Sequence, residues 1–179
     1  MTSNISDKKN ILLRTYGNSV QGMGHIARSS CLAEALASRG ANSFFLLKKS
    51  ESESRNYLES RHVSDNHILD YEADLSQFSA LIYDAPNPDR SLAGRFKLGN
   101  PDSLLLALDC DDSSDENFDI FLYLFEHSRI LSGKKLNRHS KFVCDLNFAL
   151  IRRDFFPFRP ADPSANKEIS RVLVSFGGA

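Results

Sequence analysis

No stretch of this sequence approaches the roughly 20 consecutive apolar residues that a helix needs to cross a bilayer. The polar, charged leader Met1–Asn10 has no apolar stretch of signal-peptide type. A cytoplasmic protein with no membrane partner is the expectation. Cysteine is scarce: Cys31, Cys110 and Cys144 are widely spaced and form no Cys-x-x-Cys pair, so neither a zinc ribbon nor a disulfide framework is supported. Reduced, largely buried thiols are expected instead. An excess of one charge is lacking too. The formal net charge is −1, and Lys48-Lys49 and Lys134-Lys135 are isolated pairs, which leaves no electrostatic footprint for nucleic acid.

What is present is an ordinary globular composition, 41% hydrophobic and 25% charged. A chain of 179 residues is long enough for one domain with a proper core and short for two. Ile11–Arg14 is a short apolar run that reads as a buried strand, followed by a loop from Tyr16 to Met23. Ile26, Ala27, Ser30, Cys31, Ala33, Leu36 and Ala37 then recur at three- and four-residue spacing, with Gly40 placed to terminate a helix. Ser43–Leu47 reads as a second buried strand. Strand, glycine loop, helix, glycine and strand in this order are the signature of a parallel βαβ unit.

Residues 48–66, rich in Ser, Glu, Arg and Asn, predict a solvent-facing helix. Further apolar runs at His67–Leu69, Ala80–Tyr83, Leu104–Leu108 and Ile120–Phe125 predict strands. Asp84 and Asp109 each follow such a run directly, at the strand end where open α/β sheets bind ligands. Asp84–Asp89, with Pro86 and Pro88, and the acidic Asp109–Asp119 read as loops. The acidic loop lacks calcium-site spacing, since Ser114 and Ile120 stand where an EF-hand needs glycine and glutamate. No metal site is expected. His62, His67, His127 and His139 have no partner at metal-ligand spacing and read as surface residues.

The proline-rich Phe156–Pro163 reads as a linker, and Arg171–Phe176 as a strand running into Gly177-Gly178. Residues 1–155 would form an α/β domain, 156–170 the linker, and 171–179 the first strand of a second domain that is largely missing. The alternative is a last strand that completes the first sheet.

The chemistry concentrates in Gly22-Met23-Gly24-His25. Glycines at 22 and 24 let the backbone approach a ligand and take positive φ where needed. The helix that follows offers unpaired N–H groups and a partial positive charge to an anion. Ala27 is tolerable at the third position of a dinucleotide fingerprint, but Lys48-Lys49 stand where its acidic residue belongs. No Gly-Lys-Ser/Thr follows the glycines, so a P-loop is absent as well. The helix dipole disfavours imidazolium at His25, and a neutral imidazole beside bound phosphate can take a proton from water or a sugar hydroxyl. A local helix cap is the competing role for this histidine. Arg28, one turn on, is placed for a phosphate or carboxylate contact, or for plain exposure.

These residues, together with Ile11-Leu12-Leu13-Arg14 and Leu32-Ala33-Glu34-Ala35-Leu36, resemble the opening of the pseudaminic-acid-pathway nucleotide-sugar hydrolases and their spore-coat polysaccharide relatives. Leu81-Ile82-Tyr83-Asp84, Leu106–Asp111, Phe148–Phe155 and Val172–Gly178 are similar to later segments of that family. Tyr16 stands where the family has an aspartate after its first strand. The resemblance implies an open parallel sheet, Rossmann-like, as the N-terminal domain of a glycosyltransferase-B-type fold. It implies release of UDP from a UDP-linked diacetamido-trideoxyhexose in surface polysaccharide biosynthesis, with His25 activating water. Gly22, Met23, Gly24, Arg28 and Asp84 would contact the substrate, and no metal or cofactor is implied. A transferase of the same fold, or a non-catalytic domain binding a sugar or a partner through its exposed inter-domain face, are the alternatives.

Overall fold

A computed structural model describes residues 8–123, 139–145, 150–151 and 153–158. The elements run β1 (Asn10–Thr15), α1 (Gly24–Ala37), β2 (Asn42–Leu47), α2 (Ser52–Ser60), β3 (Ile68–Asp70), β4 (Ala80–Asp84), α3 (Arg90–Gly99), β5 (Leu104–Leu108), β6 (Ile120–Tyr123) and β7 (Lys141–Cys144). The seven described strands form one parallel sheet in the order β3-β2-β1-β4-β5-β6-β7. This is an α/β open sheet of Rossmann-like type, as the βαβ pattern predicts.

Alternation along the strands divides the core into two layers. Ile11, Leu13, Phe45, Leu47 and Ala80 pack with Ile26 of α1 and Leu58 of α2 on one face. Leu12, Leu46, Leu81, Tyr83, Leu105, Ala107 and Phe121 pack with Leu92, Ala93 and Phe96 of α3 on the other. Burial on both faces explains why the strands read as continuous apolar runs rather than alternating ones.

Several elements differ from expectation. The helix predicted over 48–66 is confined to α2, and it is not wholly solvent-facing, because Ser54 and Leu58 are buried. The strand expected at His67–Leu69 is shifted by one residue, with a 3-10 turn at Asp65–His67 before it. The helix α3 and the strand β7 were not legible in the apolar pattern. Asp89 starts α3 by accepting a hydrogen bond from the Leu92 amide at 3.0 Å, a side-chain N-cap. Cys110 is buried and Cys31 half-buried, but Cys144 is exposed. A 3-10 turn at Arg153–Phe158 crosses the expected start of the linker. The predicted strand at Arg171–Phe176, the rest of the linker, Leu124-Phe125 and His127 lie outside the described residues.

Two helix ends carry left-handed residues. The helix α1 closes with Gly40 N–H on Ala37 O (3.0 Å) and Ala41 N–H on Leu36 O (3.1 Å), and Gly40 has φ of 83°. That is the terminating role expected for it. After α2 the same pair of bonds is made by His62 and Val63, onto Glu59 O and Leu58 O, but with His62 at φ 61°.

The sheet has its switch point between β1 and β4, where Thr15 pairs with Asp84. Connections leaving β1 and β4 lead to opposite ends of the sheet, so a crevice opens beyond these two residues.

Candidate functional site

The loop after β1 is pinned before it reaches α1. The Asn18 carboxamide oxygen accepts from the amides of Val20 (3.0 Å) and Gln21 (2.6 Å), and the Gly22 amide returns to Asn18 O at 2.8 Å. Gly22 has φ of 85°, a conformation that favours glycine. The Gly17 amide donates to Ser54 Oγ (2.7 Å), and the Ser19 amide to Glu53 Oε2 (2.7 Å), which tie the loop to the first turn of α2. Gly17 is required by packing: a Cβ there would lie 2.7 Å from Ile26 Cγ2. Met23 turns its side chain onto the core and offers α1 no side-chain cap; no acidic residue occupies the first turn. Gly24 is exposed, without positive φ, and a Cβ there meets nothing within 4 Å. The N-terminus of α1 is therefore open to an anion.

One turn of α1 then presents His25, Arg28 and Ser29. Spacings of three and four residues place them on one helical face, and that face meets Asp84. His25 Nδ1 lies 2.7 Å from Asp84 Oδ1. Arg28 donates from Nε to Asp84 Oδ2 at 3.0 Å and from Nη2 to Oδ1, and Ser29 Oγ donates to Oδ2 at 3.0 Å. Arg28 Nη1 reaches on to Asp109 Oδ2 at 2.5 Å. The Asp84 residue is fully buried. Burial alone would raise its carboxyl, but the hydrogen bonds from His25 and Arg28 and the Arg28 charge outweigh it and hold Asp84 below the usual carboxylate range. For Arg28, burial would lower the guanidinium, and the two carboxylates more than reverse this.

An ionised Asp84 decides the histidine tautomer. An acceptor 2.7 Å from a carboxylate oxygen would be repelled, so Nδ1 carries the proton and donates it. The Nε2 lone pair is left for chemistry. The imidazole is also stacked on Tyr16, with ring centroids 5.3 Å apart and 23° between planes. Burial raises the Tyr16 phenol, so it stays protonated.

Of the residues expected at the site, His25, Arg28 and Asp84 converge directly, while Gly22 and Gly24 shape the approach. Arg28 is committed to two carboxylates and acts as a clamp. Asp109, Ser29 and Tyr16 were not selected from the sequence as site residues. The His-x-x-Arg-Ser spacing was the available signal for Ser29, and the strand-end position was the signal for Asp109. Asp109 has φ of 46°, a left-handed conformation that aspartate tolerates better than most residues. The Tyr16 stacking had no sequence signal.

Two clefts flank the dyad. One, of about 370 Å³, is lined by Gly24, Ala27, Arg28, Cys31, Leu150, Ile151 and Phe155 and is mainly apolar. The other, of about 230 Å³, lies between the loops after β1 and β4 and includes Arg14, Tyr16, Glu51 and Tyr83. Among the described residues no group of three or more His, Cys, Asp or Glu is placed to hold a metal ion, and no helix is long and apolar enough to cross a membrane. Compared with known proteins, the chain matches no family model and no curated protein sequence.

Proposed function

We propose that this chain carries the water-activating half of a nucleotide-sugar hydrolase, with the Rossmann-like sheet as the N-terminal domain of a glycosyltransferase-B-type enzyme that acts on a UDP-linked sugar in the cytoplasm. The observation that supports this reading most is the His25–Asp84 pair, at 2.7 Å, beside the uncapped N-terminus of α1. In the neutral imidazole Asp84 holds the proton on Nδ1 and leaves the lone pair on Nε2, and it stabilises the imidazolium that forms when a proton is taken up. In the proposed step a water oxygen attacks the anomeric carbon as its proton passes to His25 Nε2. The bond from that carbon to the phosphate oxygen breaks, and UDP leaves with the electron pair. The first-turn amides of α1 meet the charge of the departing phosphate.

The test is UDP release from a panel of UDP-linked amino sugars, with and without sugar acceptors, by the natural protein and its His25→Gln variant. Release without any acceptor, lost in the variant, is the expected result. Release that depends on an added acceptor would assign the dyad to a glycosyltransferase, and turnover indifferent to His25→Gln would sink the reading altogether.

A further inference from the structure

We propose that the smaller cleft, walled by Arg14, Tyr16, Gln21, Glu51, Tyr83 and Asn87, is the subsite for the glycosyl ring, an uncharged hydroxylated ring, and does not take the nucleotide. The assignment of that ring to a substrate rests on the hydrolase reading; the binding chemistry of the cleft does not.

Position is the first argument. Tyr16 lines this cleft and is also the residue stacked on His25. The cleft and the base therefore have Tyr16 as a common neighbour. Size is the second. At about 230 Å³ the cleft falls below the roughly 300–1,000 Å³ of sites for drug-sized ligands, so it suits a single ring better than a base with ribose and two phosphates.

Charge is the third argument, and it excludes an anion. Arg14 is only 5% exposed, and both terminal nitrogens of its guanidinium are engaged, while its Nε is buried without a hydrogen-bond partner among the described residues. Nη1 donates to Glu51 Oε2 (2.8 Å), Thr15 O (2.6 Å) and Leu46 O (3.2 Å), and Nη2 donates to Glu51 Oε1 at 2.6 Å. Glu51 Oε2 accepts from the Lys48 amide as well, at 2.8 Å. The ion pair cancels its own field, so a phosphate would find no unspent cation in this cleft. What remains is neutral and polar. Burial pushes the Tyr83 phenol up to about 12 and raises that of Tyr16, which keeps both protonated. The Tyr83 hydroxyl donates to Asn87 O at 2.9 Å and holds the loop after β4 against the sheet. The side-chain amides of Gln21 and Asn87, both on exposed loop residues, supply donors and acceptors suited to hydroxyl and acylamino groups.

The experiment is saturation-transfer NMR on the full 179-residue chain with N-acetylglucosamine and, separately, UMP as probes. Gln21→Ala with Asn87→Ala is the informative double variant, because both positions are exposed and outside the core. Saturable transfer to the sugar ring is expected, weakened about tenfold by the double substitution, the size of losing two modest hydrogen bonds. Displacement of the sugar by UMP, unchanged sugar affinity in the double variant, or no saturable sugar binding would each overturn the assignment. The two proposals fail separately: ring binding through Gln21 and Asn87 without UDP release keeps the subsite and removes the hydrolase. UDP release with ring binding indifferent to both positions does the opposite.

Discussion

His25 Nδ1 and Asp84 Oδ1, 59 residues apart in the chain, stand 2.7 Å from each other across the switch point of the sheet. The carboxylate lies beneath the imidazole and is fully buried, so its influence is on tautomer and orientation rather than on substrate directly. Asp84→Asn keeps the shape but replaces one acceptor by a donor. The amide must then present a donor either to Nδ1 or to Arg28. We expect UDP release by Asp84→Asn to fall about 10²- to 10⁴-fold, the range for loss of general-base catalysis, in kcat more than in KM. A fall confined to KM would place Asp84 in ground-state binding instead.

Arg28 is the second partner of that buried charge. Arg28→Ala leaves Asp84 with His25 and Ser29 as its side-chain donors among the described residues and removes the link to Asp109. Breaking a buried pair in this way destabilises by about 3–5 kcal/mol. The measurement is a denaturant midpoint that falls without a change in slope. Arg28→Lys should recover only part of it, because an ammonium cannot bridge two carboxylates with a planar fork.

The parallel sheet was readable because strands buried on both faces leave unbroken apolar runs, and because Gly40 marks the end of α1 so clearly. The glycine loop and His25 were readable because a strand-to-helix junction is a local feature. The partners of His25 were not. Asp84 was visible as a strand-end carboxylate, but its pairing with His25 depends on β1 and β4 being neighbours, a fact of sheet order that no local window contains. Arg28 looked like a ligand contact from its spacing, and its two carboxylates come from the ends of different strands. The helix α3 was hidden because Leu92, Ala93 and Phe96 form a short stripe among charged residues and glycines, and its start signal, Asp89, was absorbed into a proline-rich loop.

Acid lability follows from the carboxylates. Asp84 and Asp89 both have folded-state pKa values below the ordinary one; in each, burial opposes the shift and hydrogen bonds prevail, from His25 and Arg28 in one case and from Tyr71 and the Leu92 amide in the other. A depressed folded pKa contributes stability that is complete above the unfolded value of about 4. It is lost as pH falls from there through the folded values. Unfolding free energies at neutral pH and at steps below about pH 4 should therefore drop steeply for the native chain and less steeply for Asp84→Asn. Parallel slopes would remove Asp84 as a source of the acid dependence.

His62 offers a stabilising change remote from the dyad. Its φ of 61° closes α2 in a conformation that costs an ordinary residue roughly 1–2 kcal/mol. Glycine adopts it freely, at the expense of a more flexible unfolded chain worth about 0.5–1 kcal/mol. His62→Gly is expected to stabilise by about 0.5–1 kcal/mol in chemical denaturation, and His62→Ala to give no gain. Equal effects from both would mean that the His62 side chain, not its backbone, sets the stability.

Gly17 and Gly24 separate the demands of folding from those of the ligand. At Gly17 a methyl group would press 2.7 Å from Ile26 Cγ2 and 3.2 Å from the Met23 backbone. Gly17→Ala should therefore cost about 1–3 kcal/mol of stability, as overpacked sites do, and displace the start of α1 together with His25. At Gly24 the added methyl meets no protein atom within 4 Å, so Gly24→Ala should leave the thermal midpoint close to that of the native chain. Its effect should fall on the ligand, because the methyl stands at the open N-terminus of α1 where a phosphate would approach the first-turn amides. UMP affinity or the KM for a UDP-sugar is the readout, and a loss of about tenfold, near 1.4 kcal/mol, is expected with folding unchanged. If Gly24→Ala binds the nucleotide as the native chain does, the anion does not lie over this turn, and the glycine at position 24 serves neither the fold nor the site.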